Sequence, residues 1–182
     1  MIGVLVSGAG TNLQALLDAR LAVAAVASSK PGVRALERAQ AAGVPAAVFA
    51  LADFPTRERR DAAMADWLAD RGVELAVCAG FMELLTPGFL ERFPAINVHP
   101  SLLPAFPGTR AVEEALAAGV SETGVTVHLV DEGIDTGPVI AQERVPLREG
   151  DTRETLHERL QEVEHRLLPD AVRRYLTGAL RS

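Results

Sequence analysis

The sequence predicts an α/β fold: a three-layer, mostly parallel twisted sheet with helices on both faces and a Rossmann-like N-terminal half. Short apolar stretches rich in Val, Ile and Ala recur along the chain with little alternation, as strands covered on both faces require. Helical patterns lie between them, and the first apolar stretch ends in a glycine-rich turn that feeds a helix. Together these describe a wound α/β sheet.

Strands are expected over residues 2–6, 21–27, 46–50, 74–79 and 95–99. A first helix over 12–20 sets Leu13, Leu16 and Leu17 on one face. Helices over 32–42 and 57–71 stop at Gly43 and Gly72, residues suited to the left-handed turn after a helix. The second of these carries Arg57, Arg59, Arg60 and Arg71 and is expected to be a solvated surface, with Met64 and Trp67 on its buried side. Thr86-Pro87 reads as a cap followed by proline in the first turn of another helix. Residues 101–109, with Pro104, Pro107 and Gly108, read as a rigid loop. Residues 124–130 and 138–145 read as two further strands joined by the turn 131–137. From Asp151 a long amphipathic helix is expected, capped by Asp151 with Glu154 and carrying Leu156, Leu160, Val163 and Leu167 at helical spacing. Pro169 should kink or restart it.

The 182 residues suit a single domain over 1–182 with a sizeable core. Only 4% are aromatic, so that core must come mainly from Ala, Val and Leu. A net charge of −6 argues against a nucleic-acid partner, while leaving room for a local basic pocket that takes one phosphate. Cys78 is the single cysteine, so no internal disulfide forms and a reducing compartment is expected. The N-terminal apolar run is short, lacks a basic segment ahead of it and stops at Gly8. It reads as a strand, not a signal peptide or membrane span, and the expectation is a cytoplasmic monomer or homodimer.

Three segments carry chemistry. Ser7-Gly8-Ala9-Gly10-Thr11-Asn12 closes the first strand and opens a helix, which aims free N–H groups and the positive end of the helix dipole at whatever lies above. Gln14 and Ala15 stand where a third glycine would complete a dinucleotide fingerprint, so a single phosphate is the expected ligand, with a ligand-free turn as the alternative. Asn97 and His99 share one face of their strand at its C-terminal end, where open parallel sheets place ligands. An amide beside an imidazole serves acyl transfer: Asn97 to stabilise an oxyanion, His99 to move a proton. A structural role is the alternative for a lone histidine. The continuation is proline-rich, and Leu103-Pro104 is a candidate cis bond. In the acidic turn 131–138, one carboxylate is expected to reach His99 and raise its pKa. Whether that is Asp131 or Asp135 stays open, as does a purely structural turn.

Together these segments resemble the glycinamide ribonucleotide formyltransferase family. The likeness covers nearly the whole chain in order: S-G-A-G-T-N-L-Q at 7–14, A-G-F-M at 79–82, N-V-H-P-S-L-L-P at 97–104, F-P-G at 106–108 and D-E-G-I-D-T-G-P at 131–138. It implies the formyltransferase fold and a step of purine biosynthesis. In that step the amine of phosphoribosyl-glycinamide attacks the formyl carbon of 10-formyltetrahydrofolate, without a metal or a covalent enzyme intermediate. Asn97 and His99 then match the catalytic pair, with His99 as proton donor, and Asp135 matches the carboxylate that raises the histidine's pKa. Gly10, Thr11 and Asn12 match the segment holding the phosphoribosyl end, and Glu164 a carboxylate near the glycinamide. Arg57, Met82, Glu83, Leu84, Leu85 and Asn97 match folate contacts, and Asp131, Glu132, Gly133 and Ile134 the pteridine pocket.

Two departures from the family pattern stand out. Glu83 lies where some members carry a basic residue and would repel a folate glutamate tail approaching there, so backbone contacts are the safer inference. Thr109-Arg110 follows F-P-G where Leu-His is often seen.

Several residues have plainer readings. His128 is expected to pack in the interior, with the site as the alternative. His157 and His165 read as solvated, and Cys78 as a small buried apolar residue. No tight ligand spacing supports a metal site. The rival functions are a methionyl-tRNA formyltransferase, expected to carry an extra basic C-terminal domain, and a formyl-folate hydrolase, expected to carry an N-terminal regulatory domain. A third is a silent nucleotide- or folate-binding sensor, against which the joint presence of Asn97, His99 and Asp135 argues.

Overall fold

The structure is a computed structural model, and it describes residues 1–179. Among these, seven strands form one sheet in the order β3-β2-β1-β4-β5-β6-β7. They are β1 (Ile2–Val6), β2 (Val23–Ser28), β3 (Ala46–Val48), β4 (Leu75–Cys78), β5 (Ala95–His99), β6 (Glu122–Leu129) and β7 (Val139–Pro146). The first five run parallel, and β6 and β7 pair antiparallel at one edge. The expected strands are therefore present, with ends shifted by one or two residues.

Successive residues of β1 enter two different cores, which is why the strand reads as unbroken apolar sequence. Ile2, Val4 and Val6 pack with Leu13 and Leu16 of α1 (Thr11–Asp18), Ala35 and Ala39 of α2 (Arg34–Ala41), and Leu156 and Leu160 of α6 (Arg153–Leu176). Leu5 faces the opposite way, onto Met64 and Leu68 of α3 (Arg57–Ala69) and Phe89 of α4 (Pro87–Arg92). This is the three-layer arrangement, with helices on both faces.

Four local expectations change. A helix α5 (Ala111–Ala118) follows the proline-rich loop, where no helix was expected; Val112 and Ala115 supply its short buried stripe and Gly119, at φ 63°, ends it. The cap of α6 is Thr152, which forms a capping box with Thr155 rather than the expected Asp151–Glu154 pair. Pro169 does not restart that helix, which continues to Leu176. The buried Leu168, Ala171 and Val172 around the proline hold the segment against the sheet and outweigh the lost backbone hydrogen bond. Trp67 is only half-buried, stacked beneath the Arg71 guanidinium at 4.0 Å.

The largest correction concerns Arg60. Three arginines of the charge-rich helix remain at least partly in solvent, but Arg60 is 0% exposed. It is buried because it has partners: Nε donates to Asp61, itself 1% exposed, and Nη1 donates to Glu83. A buried guanidinium without such carboxylates would be strongly unfavourable.

Candidate active site

The C-terminal ends of β1, β4 and β5 open onto a cavity of about 610 Å³. One end is walled by residues 8–12, the turn between β1 and α1. Gly10 is at φ 73°, and a Cβ there would lie 2.7 Å from the backbone of Ala35, so both conformation and space demand glycine. Asn12 is buried at the head of α1, and its Nδ2 donates to Glu164 Oε2 at 3.0 Å. Glu164, brought in by α6, lines the cavity and is 7% exposed. Its burial pushes its pKa up to about 7, against the opposing effect of the Asn12 hydrogen bond.

That shift has a consequence for stability. A carboxyl whose folded pKa lies above its unfolded value binds extra protons when folded, so its contribution is complete below about pH 4.5 and is lost as pH rises through about 7. At pH 8 Glu164 is a buried charge costing on the order of 3 kcal/mol. Glu164→Gln, which keeps an acceptor for Asn12, should therefore melt higher than wild type at pH 8 and no higher at pH 5. Melting curves at the two pH values check this, and an unchanged difference between them refutes it.

At the centre of the cavity, β5 presents Asn97 and His99 on one face, two residues apart as the strand alternation demands. His99 is 5% exposed. Its Nε2 lies 2.7 Å from the carbonyl of Phe106; a carbonyl only accepts, so Nε2 carries a proton and Nδ1 is the nitrogen left for chemistry. Nδ1 faces Asp135 Oδ2 at 3.4 Å. Asp135 is therefore the carboxylate beside His99. Asp131 is turned into its own loop, where it accepts from the Gly133 N–H and the Thr136 hydroxyl.

Burial is the largest influence on the Asp135 carboxyl and works against its ionisation. A hydrogen bond from His128, the Gly108 N–H at 2.8 Å and the charges of His99 and His128 outweigh it, so the group is held below the usual carboxylate range. Both Asp135 and Phe106 have positive φ, at 54° and 52°. Left-handed backbone at two non-glycine residues that both grip His99 marks a strained, overdetermined corner. The Leu103-Pro104 bond in the same loop is cis.

His128 corrects the expectation of simple interior packing. It is 2% exposed, yet it lines the cavity. Nδ1 donates to the Leu129 carbonyl at 2.8 Å, and Nε2 lies 3.2 Å from Asn97 Nδ2 and 3.5 Å from Asp135 Oδ1. Asn97 and His128 are direct partners across the antiparallel β5–β6 pair. Only that register makes them neighbours, and the sequence carries no signal for it.

The remaining wall is the loop 81–85 after β4 together with Asp131, Gly133 and Ile134. Met82, Leu84 and Ile134 are exposed at 59%, 44% and 56%, a rim of large apolar side chains suited to a flat ring system. The loop is tied down from below: Met82 N–H donates to Ser7 Oγ at 2.9 Å, Thr86 N–H to Asp61 Oδ2 at 2.7 Å, and Glu83 accepts from buried Arg60. Glu83 is thus paired, not a free charge facing the cavity.

Arg57 and Glu132 are exposed and stand outside the wall, whereas His157 and Gln161 of α6, neither expected there, are in it. Cys78 also reaches the wall, but burial pushes its thiol up to about 12, which leaves it a poor nucleophile. His165 is half-buried and does not line this cavity.

Comparison with known proteins bears on this geometry. A family model described as formyl transferase matches residues 1–172. A phosphoribosylglycinamide formyltransferase of Mycobacterium tuberculosis is 50% identical over 176 residues, covering 93% of this chain and 81% of the relative. The trifunctional purine biosynthetic protein adenosine-3 of Chironomus tentans is 44% identical over 99% of the chain, which spans only 14% of that relative's length. Among solved structures, glycinamide ribonucleotide transformylase 1 from Symbiobacterium toebii superposes with a TM-score of 0.94 at 48% identity, covering 97% of this chain and 87% of its own.

Proposed function

The chain belongs to the formyl transferase family, and from that premise we propose that it transfers the formyl group of 10-formyltetrahydrofolate to the amine of phosphoribosyl-glycinamide, a step of purine biosynthesis. The observation that carries this reading is the meeting of Asn97, His99 and Asp135 on one wall of a cavity that also contains the glycine turn. The names of the relatives support the choice of amine and of the formyl group as what is transferred.

The phosphate lies against residues 10–12, where backbone N–H groups and the dipole of α1 favour an anion. The folate ring enters between the apolar rim residues and the turn 131–135. The two ends place the amine and the formyl carbon together beside β5, and holding them there supplies much of the rate.

Attack of the neutral amine on the formyl carbon makes a tetrahedral centre whose oxygen becomes negative. Asn97 Nδ2 donates to that oxygen. Its contact with Asp135 Oδ1 is long, at 3.4 Å, so a substrate oxygen displaces a weak bond at small cost. His99 presents Nδ1 to the same oxygen as a donor, with the Asp135 carboxylate beside that nitrogen and the Phe106 carbonyl holding the ring from behind at Nε2. As the intermediate collapses, the C–N bond to the folate breaks, the folate nitrogen takes up a proton and the attacking nitrogen loses one. Asp135, ionised and accepting from the Gly108 N–H at the oxygen that faces His99, relays these protons through water. The substrates are both small molecules, and among the described residues no helix is long and apolar enough to cross a membrane. We place the reaction in the cytoplasm.

The test is a spectrophotometric assay with 10-formyltetrahydrofolate, with and without phosphoribosyl-glycinamide. Consumption that requires the amine is the expected result. Consumption without it would make the protein a hydrolase, and none under either condition would make it a binding domain.

A further inference from the structure

The glycine turn is held from behind by α2, in a way that decides where its N–H groups point. Ala35 N–H donates to the Gly8 carbonyl at 3.1 Å, and Arg38 Nε donates to the Ala9 carbonyl at 2.8 Å. Both carbonyls are thereby drawn towards α2. A trans peptide is planar, with its C=O and N–H directed oppositely, so the N–H groups of Ala9 and Gly10 are directed away from α2. Ala9 and Gly10 line the cavity, and among the described residues neither N–H has a protein partner. Drawing on a carbonyl also polarises its peptide and strengthens the N–H as a donor.

Arg38 contributes more than a clamp. Its stem passes behind Gly10, with Cδ 3.2 Å from where a Gly10 Cβ would stand. Nη1 donates to Gln14 Oε1 at 3.3 Å, which ties the arginine to α1 as well. Among the described residues Arg38 forms no ion pair with a carboxylate. Its guanidinium therefore has no carboxylate in direct contact, and Asp18 is reached only through Gln14. The charge is felt on α6, where burial first and the Arg38 charge second hold His165 below its usual pKa.

We propose that Arg38 is a positioning residue for the phosphate end of the substrate. It pulls the Ala9 carbonyl outward, so that the Gly10 N–H is presented to the phosphate, and it places an unpaired guanidinium behind the turn that favours a dianion in front of it. This rests on the reading that the phosphorylated amine occupies that end of the cavity.

The test compares wild type with Arg38→Met, which keeps the stem behind Gly10 but removes donor and charge, and with Arg38→Lys, which keeps charge without the fork that reaches Ala9 and Gln14 together. The expected result for Arg38→Met is a KM for phosphoribosyl-glycinamide raised by about tenfold, the scale of one charge-assisted hydrogen bond. Its kcat and folate KM should stay within about twofold, and Arg38→Lys should fall between the two proteins. Inorganic phosphate, used as a competitive inhibitor, should weaken in parallel, while the dephosphorylated glycinamide riboside should be used equally by all three.

A KM unchanged in Arg38→Met overturns the proposal, as does an equal loss with the dephosphorylated substrate. Should Arg38→Met fail to fold, a wild-type KM and phosphate inhibition constant in Arg38→Lys overturn it instead. Direct titration of the unliganded proteins with inorganic phosphate separates this proposal from the reaction itself. Weaker phosphate binding in Arg38→Met upholds the role of Arg38 even if no formyl transfer is found, and equal phosphate binding sinks it even if transfer is found.

Discussion

Purified His99→Ala should fold and yet turn over at least 10²-fold to about 10³-fold more slowly than wild type, the loss expected when a preorganised donor is removed from a developing oxyanion. His99 is held at both nitrogens, by the Phe106 carbonyl and the Asp135 carboxylate. That grip locates Nδ1 before substrate arrives, so no reorganisation is needed as charge develops. Alanine leaves the Phe106 carbonyl and Asp135 unpaired by this ring, but water entering from the cavity can satisfy both, and the β5 backbone is untouched. The defect should therefore lie in kcat, with both KM values moved little, because the donor acts on the transition state more than on either bound substrate. Asn97→Ala should behave alike. Steady-state assays at saturating substrates, alongside thermal melting, check this. Turnover within tenfold of wild type in either folded variant contradicts the assignment.

The second large effect is on stability. Arg60→Met should cost about 3–5 kcal/mol, the scale for removing one partner from a buried ion pair. For a chain of this size that is a fall in Tm of about 10 °C. The reason lies in what remains: Asp61, 1% exposed, loses its guanidinium while still held by the Thr86 N–H, and Glu83 loses its only ion-pair partner among the described residues. A solvated arginine would cost no more than about 0.5 kcal/mol, so melting within 2 °C of wild type would refute burial. Glu83→Gln should cost less than Arg60→Met, since Glu83 keeps 24% of its side chain in solvent. Both changes loosen the loop 81–85 and should raise the folate KM ahead of the amine KM.

The sheet was legible in the sequence because burial on both faces leaves a direct mark, an apolar stretch without alternation. The five parallel strands and their helices follow from that mark and from the glycines that end the helices. Asn97 and His99 were legible for the same reason: two residues apart on a strand, they must share a face. The turn 8–12 was legible from its glycines and the helix it feeds, whereas Glu164 came from the likeness to known sequences. Helix α5 was not legible, because Ala-rich sequence after a proline loop has too short an apolar stripe to announce a helix.

What the sequence by itself determined was everything carried by local chemistry: which stretches are strands, where the chain turns, and which strand end holds an amide and an imidazole together. Only the tertiary structure decided contacts between distant segments. It set His128 opposite Asn97 through the register of β5 and β6, chose Asp135 over Asp131 for His99, and took Arg60 out of solvent by bringing Glu83 to it across 23 residues. The physical reason is the range of the forces involved. Backbone preference and hydrophobic periodicity act over a few residues and are written in their order. The partner of a charge or an imidazole is chosen by packing, which closes only when the two cores on either side of the sheet have formed.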